Sequence, residues 1–306
     1  MKRTANFWTH EPFCLESVEA KNGFCVYTNA KFARGRGISF VATPNDIQYV
    51  LQAKIFRKGL QNEATTSSPG ALKYYRKASQ ELFLSQFTQE GRDPYIDRMD
   101  KNAFNVQMGK SRQFFSGALP ETARFNHDCR PSTVYHINPE TLQHQSFVVR
   151  PIKAGEEITL SYLPPYLNST SRRNLLSQSW GFDCTCKLCT ASAATKRHSD
   201  LRLLKIESII AELNILPSKR IIDPKKAEEL VRLHEQEGLW GNIGGAHMYV
   251  AMEYEVLGNR KMAKKWAGVA KESLGLLSGE GHEYHFAMKR ILGEDVGSER
   301  PYARHL

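Results

Sequence analysis

Three thiols crowd the segment Cys184-Thr185-Cys186-Lys187-Leu188-Cys189. A Cys-x-Cys-x-x-Cys run offers three soft ligands, and a structural zinc site wants four in a tetrahedron. The fourth ligand must come from elsewhere, and the candidates are Cys129, Cys14, Cys25 and nearby histidines such as His198. Cys129 is favoured, because closure from there would clamp two distant segments together. Such a site is closed and structural, with no open position for a catalytic water. The alternative is three reduced cysteines without metal, an uncommon outcome for this spacing in a chain with 6 cysteines.

Two further segments carry polar chemistry. Phe125-Asn126-His127-Asp128-Cys129-Arg130-Pro131-Ser132 packs donors and acceptors between expected strands. Gly155-Glu156-Glu157-Ile158-Thr159-Leu160-Ser161-Tyr162 reads as a turn followed by an alternating, half-buried strand. Alone, each is a weak signal. A single histidine is more often a satisfied core residue than a ligand, and Tyr162 by itself is an ordinary core aromatic. Gly35-Arg36-Gly37 is a turn at which the main chain can approach a ligand closely. It is not a dinucleotide fingerprint, since no helix with a third glycine follows it.

The elements that must position these residues can be read from the hydrophobic pattern. Residues 13–50 read as short strands and turns, with Phe24 to Tyr27 and Ile38 to Ala42 as strand candidates. From 46 to 118 the pattern becomes helical, with helices expected over Leu72 to Phe87 and Ile96 to Met108. Val134 to Ile137 and Ser146 to Arg150 read as a hairpin, and Ile158 to Tyr162 as a further strand. Residues 166–180 look helical and basic. Beyond Ser199 the pattern is helical to the end, over Leu201 to Asn214, Ala227 to Glu237, Ala246 to Leu257, Lys261 to Ser273 and Tyr284 to Ile291. Small and large residues alternate from Ala246 to Ala270, as in one tetratricopeptide-type hairpin.

Taken in order, the Gly35 turn, the Asn126-His127 segment, the Gly155–Tyr162 strand and the cysteine run resemble the SET-domain protein-lysine methyltransferases. That family's central motif reads Asn-His-Ser-Cys-x-Pro-Asn, its tyrosine strand Gly-Glu-Glu-Leu-Thr-Ile-x-Tyr and its tail Cys-x-Cys-x-x-Cys. The match covers about residues 13–190. With an internal insertion and a helical C-terminal region, the chain looks most like the SMYD-type branch and its fungal relatives. It departs from that branch in lacking the zinc-binding MYND module, since residues 46–118 contain no cysteine.

The resemblance implies an α+β fold. Its parts are a β-rich SET domain over 1–165, with small sheets, a knot-like threaded core and a helical insertion at about 46–118; a Cys-rich post-SET zinc segment over 166–195; and an all-helical, tetratricopeptide-like bundle over 196–306. It implies methyl transfer from S-adenosylmethionine to the ε-amine of a lysine in a protein, histone or non-histone. Residues matching the cofactor contacts are Arg34, Gly35, Arg36, Gly37, Asn126, His127, Tyr162 and Phe182. Tyr162 also matches the active-site tyrosine, and Trp180 an aromatic lining the lysine channel. Structural Zn²⁺ would be held by Cys129, Cys184, Cys186 and Cys189. Asp128 stands where the family has Ser, Ser132 where it has the Asn that helps hold the threaded loop, and Ser161 where many histone-directed enzymes have Asp. A competing reading is a catalytically weak SET protein serving as a chromatin or protein-interaction module; retention of Asn126, His127 and Tyr162 together argues against it.

Composition sets the bounds. The 306 residues carry 42 Lys and Arg against 32 Asp and Glu, a formal net charge of +10. That balance suits an acidic partner such as nucleosomal DNA, or is a solvated surplus of surface Lys and Arg. A basic enzyme would repel a basic histone tail unless acidic residues such as Glu156, Glu157 and Asp128 line the groove. No run of about 18 apolar residues argues for a membrane span, and Met1 to Asn22 has no apolar region that would make a secretory signal. Clustered cysteines without such a signal point to a reducing compartment. The expectation is therefore a monomeric intracellular protein of nucleus or cytoplasm, not bound to a membrane.

Overall fold

A computed structural model describes residues 77–89, 91–108, 113–119, 122–137, 144–153, 155–278 and 282–294, together with the backbone of three N-terminal strands. These strands are β1 (Leu15–Ala20), β2 (Gly23–Thr28) and β3 (Gly37–Phe40). Arg34, Gly35, Arg36 and Cys14 lie outside the described residues, and nothing is described of the Cys25 side chain.

Helices α1 (Lys77–Leu84) and α2 (Pro94–Asn102) follow, then strands β4 (Ala103–Met108) and β5 (Gln113–Ala118). The central strands are β6 (Asn126–His127), β7 (Thr133–Ile137), β8 (His144–Val148) and β9 (Thr159–Leu160). Helix α3 (Ser169–Trp180) leads into the cysteine run. Helices α4 (Ala193–Leu213), α5 (Pro224–Glu237), α6 (Ile243–Val256), α7 (Arg260–Ser278) and α8 (Glu283–Leu292) complete the described chain.

Among the described residues the sheets are small: β1–β2, β3–β8–β7, β4–β5 and the two-residue parallel pair β6–β9. The expected hairpin forms, with Thr133 opposite Val148 and Ile137 opposite His144. Strand β3 joins its other edge, Gly37 facing Phe147. One expectation is corrected. The helix expected over Ile96 to Met108 stops at Asn102, and Ala103–Met108 instead pairs antiparallel with Gln113–Ala118. Phe104 then lays its ring edge-on against Tyr135, 5.1 Å between centroids. A single helix would have carried that ring away from the central sheet, so tertiary burial overrides local helical propensity.

Phe125, Val148, Ile152, Ile158 and Leu160 form the core beneath β6 and β9. A second apolar core joins α4, α5 and α6 through Leu203, Ile206, Leu230, Ile243 and Val250. A third joins α6, α7 and α8 through Ala251, Ala267, Ala270 and Met288. Small residues, Ala251, Ala267 and Ala270, stand at that last contact.

Helix ends follow their capping residues. Asn168 Oδ1 accepts from Ser171 N at 2.9 Å, which starts α3. Gly181 ends it in the left-handed region at φ 74°, so the chain reverses and delivers Phe182 and Cys184. Asp223, followed by Pro224, starts α5, and Gly238 at φ 67° ends it. No helix among the described residues is long and apolar enough to cross a membrane.

Candidate active site and metal centre

The parallel pair β6–β9 sets Asn126 opposite Thr159 and His127 opposite Leu160, so the central motif lies against the tyrosine strand. Asp128 N extends the pairing to Leu160 O at 3.0 Å. Ser132 is fully buried, and its hydroxyl accepts from Thr159 N at 3.0 Å. Thr159 Oγ1 accepts from Ser132 N in return at 3.2 Å, and Thr133 Oγ1 donates to Thr159 O at 2.8 Å. The loop after the motif is therefore stitched to the tyrosine strand by hydroxyls.

Tyr162 is fixed at both ends. Its hydroxyl donates to Phe125 O at 2.6 Å, and its backbone N–H donates to His127 Nδ1 at 3.1 Å. Because Nδ1 accepts, a neutral His127 carries its proton on Nε2, which lies 3.4 Å from Cys129 Sγ. Burial lowers the imidazole from its usual 6.5 to about 4, helped by the Arg172 charge and opposed by the Cys186 thiolate. The Tyr162 ring lies 5.3 Å from His127 and 5.4 Å from Trp180, and Phe182 lies 6.3 Å from His127. These four rings, all half-buried, form one aromatic group.

Other side chains orient this group. Asn126 Nδ2 donates to Glu157 Oε1 at 2.8 Å. Trp180 Nε1 donates to Lys101 O at 2.9 Å, and Lys101 Nζ donates to Ser179 O at 2.8 Å. The C-terminus of α2 thus holds the end of α3. Lys101 is itself buried, 3.6 Å from Asp97. This anchor is not legible in the sequence; a lysine on a short amphipathic helix reads as a surface charge until its partner is known. Arg172, 2 % exposed, donates through Nη1 to Leu167 O, while its Nε and Nη2 have no hydrogen-bond partner.

Each of the three acidic residues has a partner of its own. Glu156 pairs with Arg150 at 2.6 Å and accepts from Lys153 N, Glu157 holds Asn126, and Asp128 Oδ1 accepts from Arg130 N at 2.7 Å. Burial raises the Asp128 carboxyl to about 6.

The four cysteines Cys129, Cys184, Cys186 and Cys189 converge, their sulfurs all within 4.8 Å of one another. Cys129 Sγ and Cys189 Sγ lie 3.5 Å apart, too far for a disulfide. A tetrahedron with metal–sulfur bonds of about 2.3 Å has edges of roughly 3.8 Å, so this donor set fits a metal ion held by four thiolates. Hydrogen bonds with the neighbouring thiols, with burial, push Cys129 far up, whereas the same kind of bonds from Cys129 and Cys184 drive Cys186 down against the effect of burial. Cys184 is raised to about 12. Cys129 and Cys184 therefore keep their protons in the absence of a cation, and binding a metal ion would displace them and let four thiolates share the pocket. Among the described residues, His198 is not part of the cluster, while Cys14 and the Cys25 side chain lie outside them.

Residues 23–163 match the SET domain family. Relatives include the histone-lysine N-methyltransferase set5 of Schizosaccharomyces pombe, 26% identical over 229 residues that cover 72% of this chain and 70% of that protein. A SET and MYND domain-containing protein of Dictyostelium discoideum is 28% identical over 165 residues, covering 53% of this chain and 45% of that one. The N-lysine methyltransferase SMYD2 of Homo sapiens is 26% identical over 179 residues, 55% of this chain and 41% of that one. Residues 23–163, a little under half of the chain, therefore carry a SET domain. Its relatives are named as set5 and SMYD lysine methyltransferases, and the chain spans less than half the length of the last two described.

Proposed function

We propose that this protein transfers a methyl group from S-adenosylmethionine to the ε-amine of a lysine in a protein substrate. The observation that carries the reading is the fixed position of Tyr162, held by Phe125 O and His127 within the aromatic group. Half-buried ring faces suit both a planar adenine and a sulfonium, which aromatic quadrupoles attract. Asn126, His127 and Phe182 would hold the cofactor, together with the turn at Arg34, Gly35, Arg36 and Gly37.

The co-substrate supplies an electrophilic methyl group on a sulfonium. The chain's own residues bind and orient the acceptor. A lysine amine must be neutral to attack, yet its ordinary pKa is about 10.4. A narrow lysine channel lined by Tyr162 and Trp180, as the resemblance implies, would disfavour the ammonium through desolvation, and an adjacent positive charge would add to that. Positioning the amine in line with the methyl group then supplies much of the acceleration. Tyr162 acts through its hydroxyl as a positioning group and not as a general base.

A structural Zn²⁺ bound by Cys129, Cys184, Cys186 and Cys189 fits the same reading. The division into 1–165, 166–195 and 196–306, with a tetratricopeptide-like last part, is proposed with it, as are a nuclear or cytoplasmic location and a histone or non-histone substrate.

The test is incubation of purified protein and radiolabelled S-adenosylmethionine with a proteome extract, followed by mass spectrometry of labelled lysines. Tyr162→Phe keeps the ring and loses the bond to Phe125. It should lower transfer by about a hundredfold, the usual cost of a misplaced acceptor, with cofactor affinity little changed in calorimetry. Absence of cofactor binding by the wild type would sink the enzyme reading.

A further inference from the structure

Arg130 follows the metal-cluster cysteine Cys129 and reaches across to the C-terminal helices. Its Nη1 donates back to Cys129 O at 2.7 Å. Its Nε donates to Glu237 O, and its Nη2 to Glu237 Oε2 at 2.6 Å. One planar guanidinium therefore joins the backbone of a candidate metal ligand to the last residue of α5. The helix C-terminus carries partial negative charge, and the Glu237 carboxylate adds a full one.

Glu237 is 5 % exposed and is itself held in place. Ser199 Oγ donates to its Oε2 at 2.7 Å, and Arg202 Nε to its Oε1 at 2.6 Å, both from α4. Both carboxylate oxygens are engaged, and the bonds run from two helices to one loop.

Packing around this clamp is incomplete. A cavity of about 150 Å³ lies between the loop and the helices, lined by Cys129, Val134 and Leu163 on one side and Leu239 and Trp240 on the other. Continuous apolar contact therefore does not set the position of the loop. On the strand side it is held by the bonds of Asp128 and Ser132 to β9, and on the helix side by the polar clamp at Arg130 and the close approach of Gly241 to Val134.

We propose that Glu237 is a positioning residue for the metal loop: acting through Arg130, it holds Cys129 where it can complete a site begun by Cys184, Cys186 and Cys189. This rests on the zinc reading above. Three of the ligands are local in sequence and form their geometry within one turn. Cys129 is distant, so its sulfur must be brought to the site by whatever fixes its loop. Loss of the Glu237 charge removes the ionic part of the clamp and leaves Arg130 held mainly by the carbonyls of Glu237 and Cys129, so the loop and its cysteine gain freedom to leave the metal.

The test uses the full chain. Metal content is measured first, then the rate of zinc release to a chromogenic chelator at fixed concentration, with far-UV circular dichroism and thermal melts alongside. Glu237→Gln and Arg130→Gln should each speed release about tenfold, and the double variant should be no faster than either single one, since the two act as one unit. Arg202→Gln removes a Glu237 partner that does not touch the loop. It should lower the melting temperature while leaving zinc release within about twofold of wild type. Should Glu237→Gln fail to fold, Arg130→Lys keeps the charge but loses the fork that bonds both Glu237 and Cys129, and it too should release zinc faster. Wild-type release rates in folded Glu237→Gln or Arg130→Lys protein overturn the proposal, as does an Arg202→Gln effect equal to that of Glu237→Gln. A wild-type protein that binds no zinc overturns the zinc reading and this proposal together; a zinc-loaded wild type with unaffected variants overturns this proposal alone.

Discussion

Ser132 carries out with one hydroxyl a task that the SET family gives to an asparagine. The resemblance left that position in question. In the fold its Oγ accepts from Thr159 N and its own N–H reaches Thr159 Oγ1, so the loop and strand are joined by a reciprocal pair. Thr133 adds a third bond to the same residue. Thr159 and Thr133 therefore compensate for the shorter side chain, and neither stood out in the sequence. His144 is a second residue whose importance comes from burial. It is 1 % exposed, stacked on Tyr135 at 5.0 Å, and its imidazole is lowered from 6.5 to about 3 by burial, with the His136 charge adding to the effect. The unfolded chain takes up this proton first as pH falls. Stability from His144 is thus fully present above about pH 6.5 and is lost progressively towards pH 3, at up to about 1.4 kcal/mol per pH unit. His144→Phe keeps a stacking ring and should flatten this part of the profile. The check is urea denaturation at several pH values, and parallel slopes for the two proteins between pH 6 and 4 would contradict it.

At the scale of elements, the junction between α5 and α6 decides how the helices meet the central sheet. A Cβ added to Gly241 would lie 2.1 Å from Val134 Cγ1, so no larger residue fits without movement. Gly241→Ala should cost about 1–3 kcal/mol through overpacking. Val134→Ala removes the clashing methyl and should recover most of that loss in the double variant, as a double-mutant cycle in urea would measure. The β4–β5 hairpin shows the limit of local reading in a different way. Its residues continue the helical pattern of α2, and only the pairing with Gln113–Ala118 and the contact of Phe104 with Tyr135 make them a strand.

Across the whole molecule, the cysteine cluster ties the central motif to the tail that follows α3. Cys129 lies two residues after His127, and Cys184 two residues after Phe182, so one metal ion would hold both aromatic partners of the candidate site. Removal of zinc with a strong chelator should therefore lower the melting temperature by about 5–10 °C and abolish methyl transfer over the same range of chelator concentration. Calorimetry and the radiolabel assay, run on the same samples, would reveal the linkage. Activity that persists after zinc is gone would break it.

The sequence by itself determined the kinds of chemistry present and their order along the chain. The Cys-x-Cys-x-x-Cys spacing is local, so three ligands were legible directly, and the order of the motifs carried the SET resemblance. Helix starts and stops at Asn168, Gly181, Asp223 and Gly238 were equally local, since caps act over one turn. The tertiary structure alone decided which cysteine joins the other three, which carbonyl receives the Tyr162 hydroxyl, and that Glu237 grips the residue after Cys129. Those contacts join residues 60, 37 and 107 positions apart. Spacing rules follow from the geometry of a single helix or strand, and contacts at such separations depend on how several elements pack, which no local rule contains.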